Sequence, residues 1–216
     1  MLAKSGNRIE ERTPAENLHV EVVTGLAAIM EALGRDGAAS SPSAGSNLGL
    51  EPARSAATKV NEDISPRIWN VHDFSSTGFG LLIDQNAGEH VTLHSLIALR
   101  QPGAAHWALG AIARKLANRA EAQTLIGVEI LSYRPLAVTL KRVNKTDNAA
   151  ATRALYVMGR DGNGKRDFLV LRLADFASRN IFEIPIQAMH YRVRLNRAVK
   201  KGPDWIALRF EVDNKR

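Results

Sequence analysis

Residues 68–83, IWNVHDFSSTGFGLLI, set two short runs, IWNVHDF (68–74) and FGLLI (79–83), on either side of the polar turn SSTG. Each run is too short for a stable helix, carries β-branched or aromatic residues, and is closed by turn-forming residues, so the stretch reads as two strands joined by a tight turn. The same pattern continues downstream. LIALR (96–100), WALGAIARKL (107–116), LIGVEIL (125–131) and LAVTLKR (136–142) follow, each bounded by Gly, Pro or Asn. A second series comprises ALYVM (154–158), FLVLRL (168–173), IFEIPI (181–186), MHYRVRLNR (189–197) and WIALRFEV (205–212). In MHYRVRLNR, Met189, Tyr191, Val193 and Leu195 alternate with His190, Arg192, Arg194 and Asn196, the period of a strand with one buried face. RDGNGKRD (160–167), with its Asp-Gly and Asn-Gly pairs, reads as a hairpin turn.

Eleven short strands with almost no helix between them imply an all-β protein built from small antiparallel barrels or sandwiches. Each series ends on an apolar strand with a central Glu, Glu129 and Glu211, which suggests two tandem barrels meeting near residues 143–152. The expected domains are an N-terminal segment at 1–58, one barrel at 59–145 and a second at 146–216.

Upstream, Thr13 suits a helix N-cap, Pro14 the first helical position and Glu16 a capping box. Leu18, Val22, Leu26, Ile29, Met30 and Leu33 recur at helical spacing and Gly34 ends the run, so a helix is expected over 13–34. Residues 35–58 are rich in Gly, Ala, Ser and Pro and read as a flexible linker. Helix and linker together read as an appendage to the barrels.

The 216 residues are 45% hydrophobic and 24% charged, the balance of a globular protein. Cysteine is absent, which excludes disulfides, thiolate metal sites and cysteine nucleophiles. The first twelve residues have no apolar signal core, and no apolar run approaches a membrane span, so a cytoplasmic location is expected. The net charge of +7 is uneven: residues 1–60 hold 6 basic and 7 acidic side chains, residues 61–216 hold 23 and 15. A basic fold of this kind suits a phosphate-bearing partner. Aromatic content of 6% supplies few stacking platforms and argues against single-stranded nucleic acid.

Catalysis finds little support in the sequence. There is no phosphate-binding Gly-Lys-Ser/Thr loop and no His-Glu-x-x-His helix, and His90 and His94 lie where a four-residue spacing does not bring rings together. Ser75 and Ser76 lack the Gly-x-Ser-x-Gly frame of a nucleophile elbow. A non-enzymatic protein with no metal and no cofactor is the expectation.

The turn itself carries the most specific signal. Asp73, Ser75 and Gly78 stand at D-x-S-x-x-G spacing, which brings an acceptor for N–H donors, a hydroxyl and a close backbone approach to one strand end. A self-satisfied serine turn would use the same residues. In this setting the segment resembles the PilZ domain family, small bacterial β-barrels in which D/N-x-S-x-x-G helps hold cyclic di-GMP. The resemblance runs from about Trp69 to Leu140: VHDFSSTGFGLLI, then LIALR, then WALGAIARKL in place of the family's G-x-V strand, then IGVEIL as its closing strand.

The resemblance implies a signalling effector that binds cyclic di-GMP at Asp73, Ser75 and Gly78 and relays it through protein contacts. The same scaffold serves equally as an interaction module that binds no nucleotide. In the family an R-x-x-x-R shortly before the motif grips the ligand's phosphates and stacks on guanine. Here the only such pattern upstream is Arg8-x-x-x-Arg12, with Arg12 61 residues before Asp73, beyond the expected helix and linker. A flexible linker lets the segment fold back at modest entropic cost. Arg67, Arg100, Arg114, Arg192 and Arg194 are further candidates for phosphate contacts, with Trp69 and Trp107 as stacking faces.

Overall fold

The computed structural model describes residues 12–39, 65–89, 91–118, 121–143, 151–159, 167–176, 181–186 and 189–213. Arg8, residues 40–58 of the expected linker and most of the 160–167 turn lie outside the described residues. All eleven expected strands are present. Two more, β1 (Thr13–Pro14) and β2 (His19–Thr24), stand where a helix was expected. The helix, α1 (Leu26–Ala39), starts only after them.

The correction has a local cause. His19-Val20-Glu21-Val22 alternates, and Val20 and Val22 are buried while His19 is exposed, a strand period hidden within the helical spacing. Three valines in four residues favour the pleated conformation. Gly25, at φ +85°, then turns the chain from β2 into α1.

The first barrel is closed by β2, β3 (Arg67–Ser75), β4 (Gly78–Asp84), β5 (Leu96–Arg100), β6 (Ala108–Asn118) and β7 (Gln123–Ser132). A short helix, α2 (Gln85–Glu89), follows β4, and β1 pairs with the far end of β3, beyond the stretch paired with β2. The second barrel is closed by β8 (Leu136–Arg142), β9 (Thr152–Val157), β10 (Phe168–Arg172), β11 (Ile181–Ile186), β12 (Met189–Lys201) and β13 (Trp205–Val212). The division therefore differs from 59–145 and 146–216. The first barrel takes β2 from the N-terminal segment, and β8 pairs with β9 and β11 in the second.

Every pairing is antiparallel, and the two barrels repeat one topology. In each, the first three strands form a meander, the next three form another, the sixth pairs with the third and the fourth with the first. β2 through β7 thus correspond one by one to β8 through β13, and β1 has no counterpart.

Three cores follow from this arrangement. Val20, Trp69, Leu81, Ile97, Ile126 and Val128 fill the first barrel. Leu140, Leu169, Phe182, Ile184, Val193 and Leu208 fill the second. The third lies between them: Leu26, Ile29 and Met30 of α1, Leu96, Ala98 and Leu109 on the outside of the first barrel, and Leu155, Val170, Trp205 and Ala207 on the outside of the second. This seam explains why LIALR and WIALRFEV read as near-continuous apolar runs, since their strands are buried on both faces. Trp205 Nε1–H donates to the His94 carbonyl (2.8 Å), and the Arg153 guanidinium donates to the Met30 carbonyl (3.1 Å), tying the second barrel to the first and to α1. The helix is thus part of the core and no appendage. Among the described residues no helix is long and apolar enough to cross a membrane.

Candidate functional site

The turn between β3 and β4 sits at one end of the first barrel. Ser75 pairs with Gly78 in the ladder, and the Ser75 hydroxyl accepts the Thr77 N–H (3.3 Å), so the serine closes the turn on itself. Tyr133 donates its phenol to the Ser76 carbonyl (2.9 Å) and pins the turn from outside. Gly78 is required by close approach: a Cβ there would fall 2.3 Å from the Val128 carbonyl oxygen of β7. A side chain would prise β4 from β7, so Ser75 is accounted for by the turn and Gly78 by the packing of β4 against β7.

Asp73 has partners beyond the turn. β1 pairs with the end of β3, Thr13 opposite Phe74 and Pro14 opposite Asp73, and this returns Arg12 to the motif. The Arg12 guanidinium donates to Asp73 Oδ1 in a half-exposed ion pair, and His72 Nδ1–H donates to Oδ2 (2.9 Å). Burial alone would raise the Asp73 pKa. The hydrogen bonds from His72 and Arg12, with the Arg12 charge, outweigh it and hold the carboxyl below its ordinary value.

The register sets Asp73, Gly80, Gly127 and Arg114 side by side on β3, β4, β7 and β6. The two glycines leave the outer face of β4 and β7 without side chains at this level. Asp73 leans in over Gly80, its Oδ1 2.7 Å from where a Cβ would stand, and Arg114 lies over Gly127, its Cβ 3.1 Å from the corresponding point. Strand spacing puts β3 and β6 about 14 Å apart across this row. Beside it an open cleft of about 240 Å³ is lined by Arg12, Thr77, Gly78, Arg114, Gly127 and Glu129, among others. Glu129 reaches across to the second barrel, where Lys200 Nζ donates to Oε2 (2.6 Å).

The structure thus brings Arg12, Asp73, Ser75, Gly78 and Arg114 to one rim and leaves the other candidates away from it. Arg67 opens β3, eight residues from Ser75 and roughly 25 Å along the strand. Arg100 is held by Glu21 on the neighbouring strand (2.5 Å) and covers the Trp107 ring at 4.3 Å. Arg192 and Arg194 belong to β12 of the second barrel, Arg194 3.6 Å from Asp213. Trp69 is buried inside the first barrel and Trp107 in the seam, so neither offers a stacking face.

Gly80, Gly127 and Lys200 were not singled out from sequence, and Glu129 was noted only as the central Glu of its strand. The glycines did leave a signal, because Gly inside an apolar strand marks a close approach or a bare face. Among the described residues no cluster of three or more His, Asp or Glu is placed to hold a metal. No protein-family model, curated protein or solved structure matches the chain.

Proposed function

We propose that this protein is a non-enzymatic PilZ-like effector that binds cyclic di-GMP at the rim formed by Arg12, Asp73, Gly78 and Arg114. It would act in the cytoplasm and pass the signal on through contacts with a protein partner. The observation that carries the reading is the meeting of Arg12 with Asp73 across 61 residues. The chain returns the last arginine of Arg8-x-x-x-Arg12 to the D-x-S-x-x-G turn through β1, beside a second guanidinium on a glycine floor. Two arginines suit two phosphates by forked, charge-assisted hydrogen bonds, and a guanidinium plane suits stacking on a purine. Phosphate entering the cleft competes with Glu129 for Lys200, which alters the surface along the line where the barrels meet.

A second reading, an interaction module that binds no nucleotide, draws on Glu129, an acid lining the same cleft, and on the engagement of Arg12 by Asp73. Calorimetry with cyclic di-GMP separates the two. The effector binds at micromolar concentration or tighter, and Arg12→Ala and Arg114→Ala each weaken binding about tenfold or more. No heat from folded wild type removes the effector reading and leaves the module.

A further inference from the structure

The second barrel carries an opening of its own, independent of the rim just described. At one mouth of its interior, a cavity of about 330 Å³ is lined by Tyr156 of β9, Asp167 just before β10, Ile184 of β11, Tyr191 and Val193 of β12 and Phe210 of β13. The walls are apolar and aromatic. The rings of Tyr156 and Phe210 lie 6.0 Å apart and tilted by 51°, the corner of a box rather than a stack. Volume, lining and position at a barrel mouth are those of a small-molecule site.

The polar end of this cavity is a set of acceptors. Tyr156 O–H donates to Asp167 Oδ2, and the Gly159 N–H donates to Oδ1 (2.8 Å). Burial, then the hydrogen bond to Asp167, raises the Tyr156 pKa, so the phenol keeps its proton and goes on donating it to the carboxylate oxygen. Both donors are neutral. Among the described residues no lysine or arginine is paired with the Asp167 carboxylate, and Arg209 donates to the Asp167 backbone carbonyl instead (3.1 Å).

The repeated topology sharpens the contrast. The β9–β10 connection that ends at Asp167 corresponds to the β3–β4 turn that follows Asp73. At that end of the first barrel the acid is matched by Arg12; at this end of the second it faces an aromatic box, and no cation among the described residues is paired with its carboxylate.

We propose that this mouth is a binding site for a small organic ammonium ion. An alkylated ammonium presents diffuse positive charge on an apolar body. Tyrosine and phenylalanine faces attract it through their quadrupoles, and a carboxylate whose donors among the described residues are neutral supplies the counter-charge. A neutral guest of the same shape would gain the apolar contact alone. An anion would meet the Asp167 charge head-on.

The test is a calorimetric titration of the full chain with choline, and in parallel with 3,3-dimethylbutan-1-ol, its neutral carbon counterpart. Choline binds about tenfold tighter than the alcohol, Asp167→Asn abolishes that preference, and Phe210→Leu weakens choline more than the alcohol. Circular dichroism and melting confirm that each variant is folded, and Phe210→Leu keeps the test meaningful if Asp167→Asn is not. Equal affinity for choline and the alcohol, or no choline binding by folded wild type, overturns the proposal. So does an Asp167→Asn variant that retains the preference. Cyclic di-GMP takes no part, so failure here leaves the rim untouched, and failure at the rim leaves this site untouched.

Discussion

Replacing Ile29 with Ala tests whether α1 belongs to the core, because the two possibilities predict opposite signs. Ile29 is fully buried in the seam, with Leu26 and Met30 beside it and Trp205 in the same cluster. The substitution removes three carbons, about 2.4 kcal/mol of transfer free energy at roughly 0.8 kcal/mol each, before any cavity is counted. A cavity that closes only in part brings the expected loss to about 3–4 kcal/mol, within the range for buried Ile→Ala changes. In a chain of this length that lowers the melting temperature by roughly 6–16 °C. Were the helix a solvated appendage, Ala would instead gain a few tenths of a kcal/mol by its better helix propensity. Urea unfolding followed by tryptophan fluorescence is suited to the measurement, since Trp107 and Trp205 lie in the seam and Trp69 in the first barrel. Arg35→Ala, which removes an exposed pair with Glu31 on the same helix, is the control and should stay within about 0.5 kcal/mol. An Ile29→Ala protein as stable as wild type would refute the placement of α1.

Two further predictions concern the rim. Gly78→Ala drives a methyl group into the Val128 carbonyl and should cost about 2 kcal/mol or more in urea unfolding; a neutral change would show that β4 and β7 have room to part. Asp73 titrates below its ordinary value of 3.8 when folded, so its ionised form stabilises the fold above about pH 4 and that contribution disappears as pH falls through the folded-state value. Melting temperatures taken from neutral pH into acid should therefore fall more steeply for wild type than for Asp73→Asn, and parallel curves would sever the link to Arg12 and His72.

The strands were legible because each carries its own punctuation. IWNVHDF and FGLLI needed only the turn between them, and MHYRVRLNR its alternation. The motif turn was legible in part: Ser75 and Thr77 close it locally, while Gly78 answers to the approach of Val128 on β7. What escaped depends on pairing between distant segments. Residues 13–24 offer a capping box and helical spacing, yet β2 is held by β3 and β5, one reached only after α1 and residues 40–64, the other further still. Non-local ladder bonds and burial of Val20 and Val22 override the local preference. The approach of Arg12 to Asp73 rests on the same long-range pairing through β1. Arg67 and Arg100 were plausible by charge alone, and charge does not say which end of a strand a residue occupies. Gly80 and Gly127 looked like interruptions of apolar runs until the register set them in one row.

The seam also bears on how such a chain can be divided. Each of the two barrels of one topology has an oily flank that the other and α1 cover. Cutting the chain between Ser132 and Leu136 would yield two sticky pieces, each baring its share of the seam.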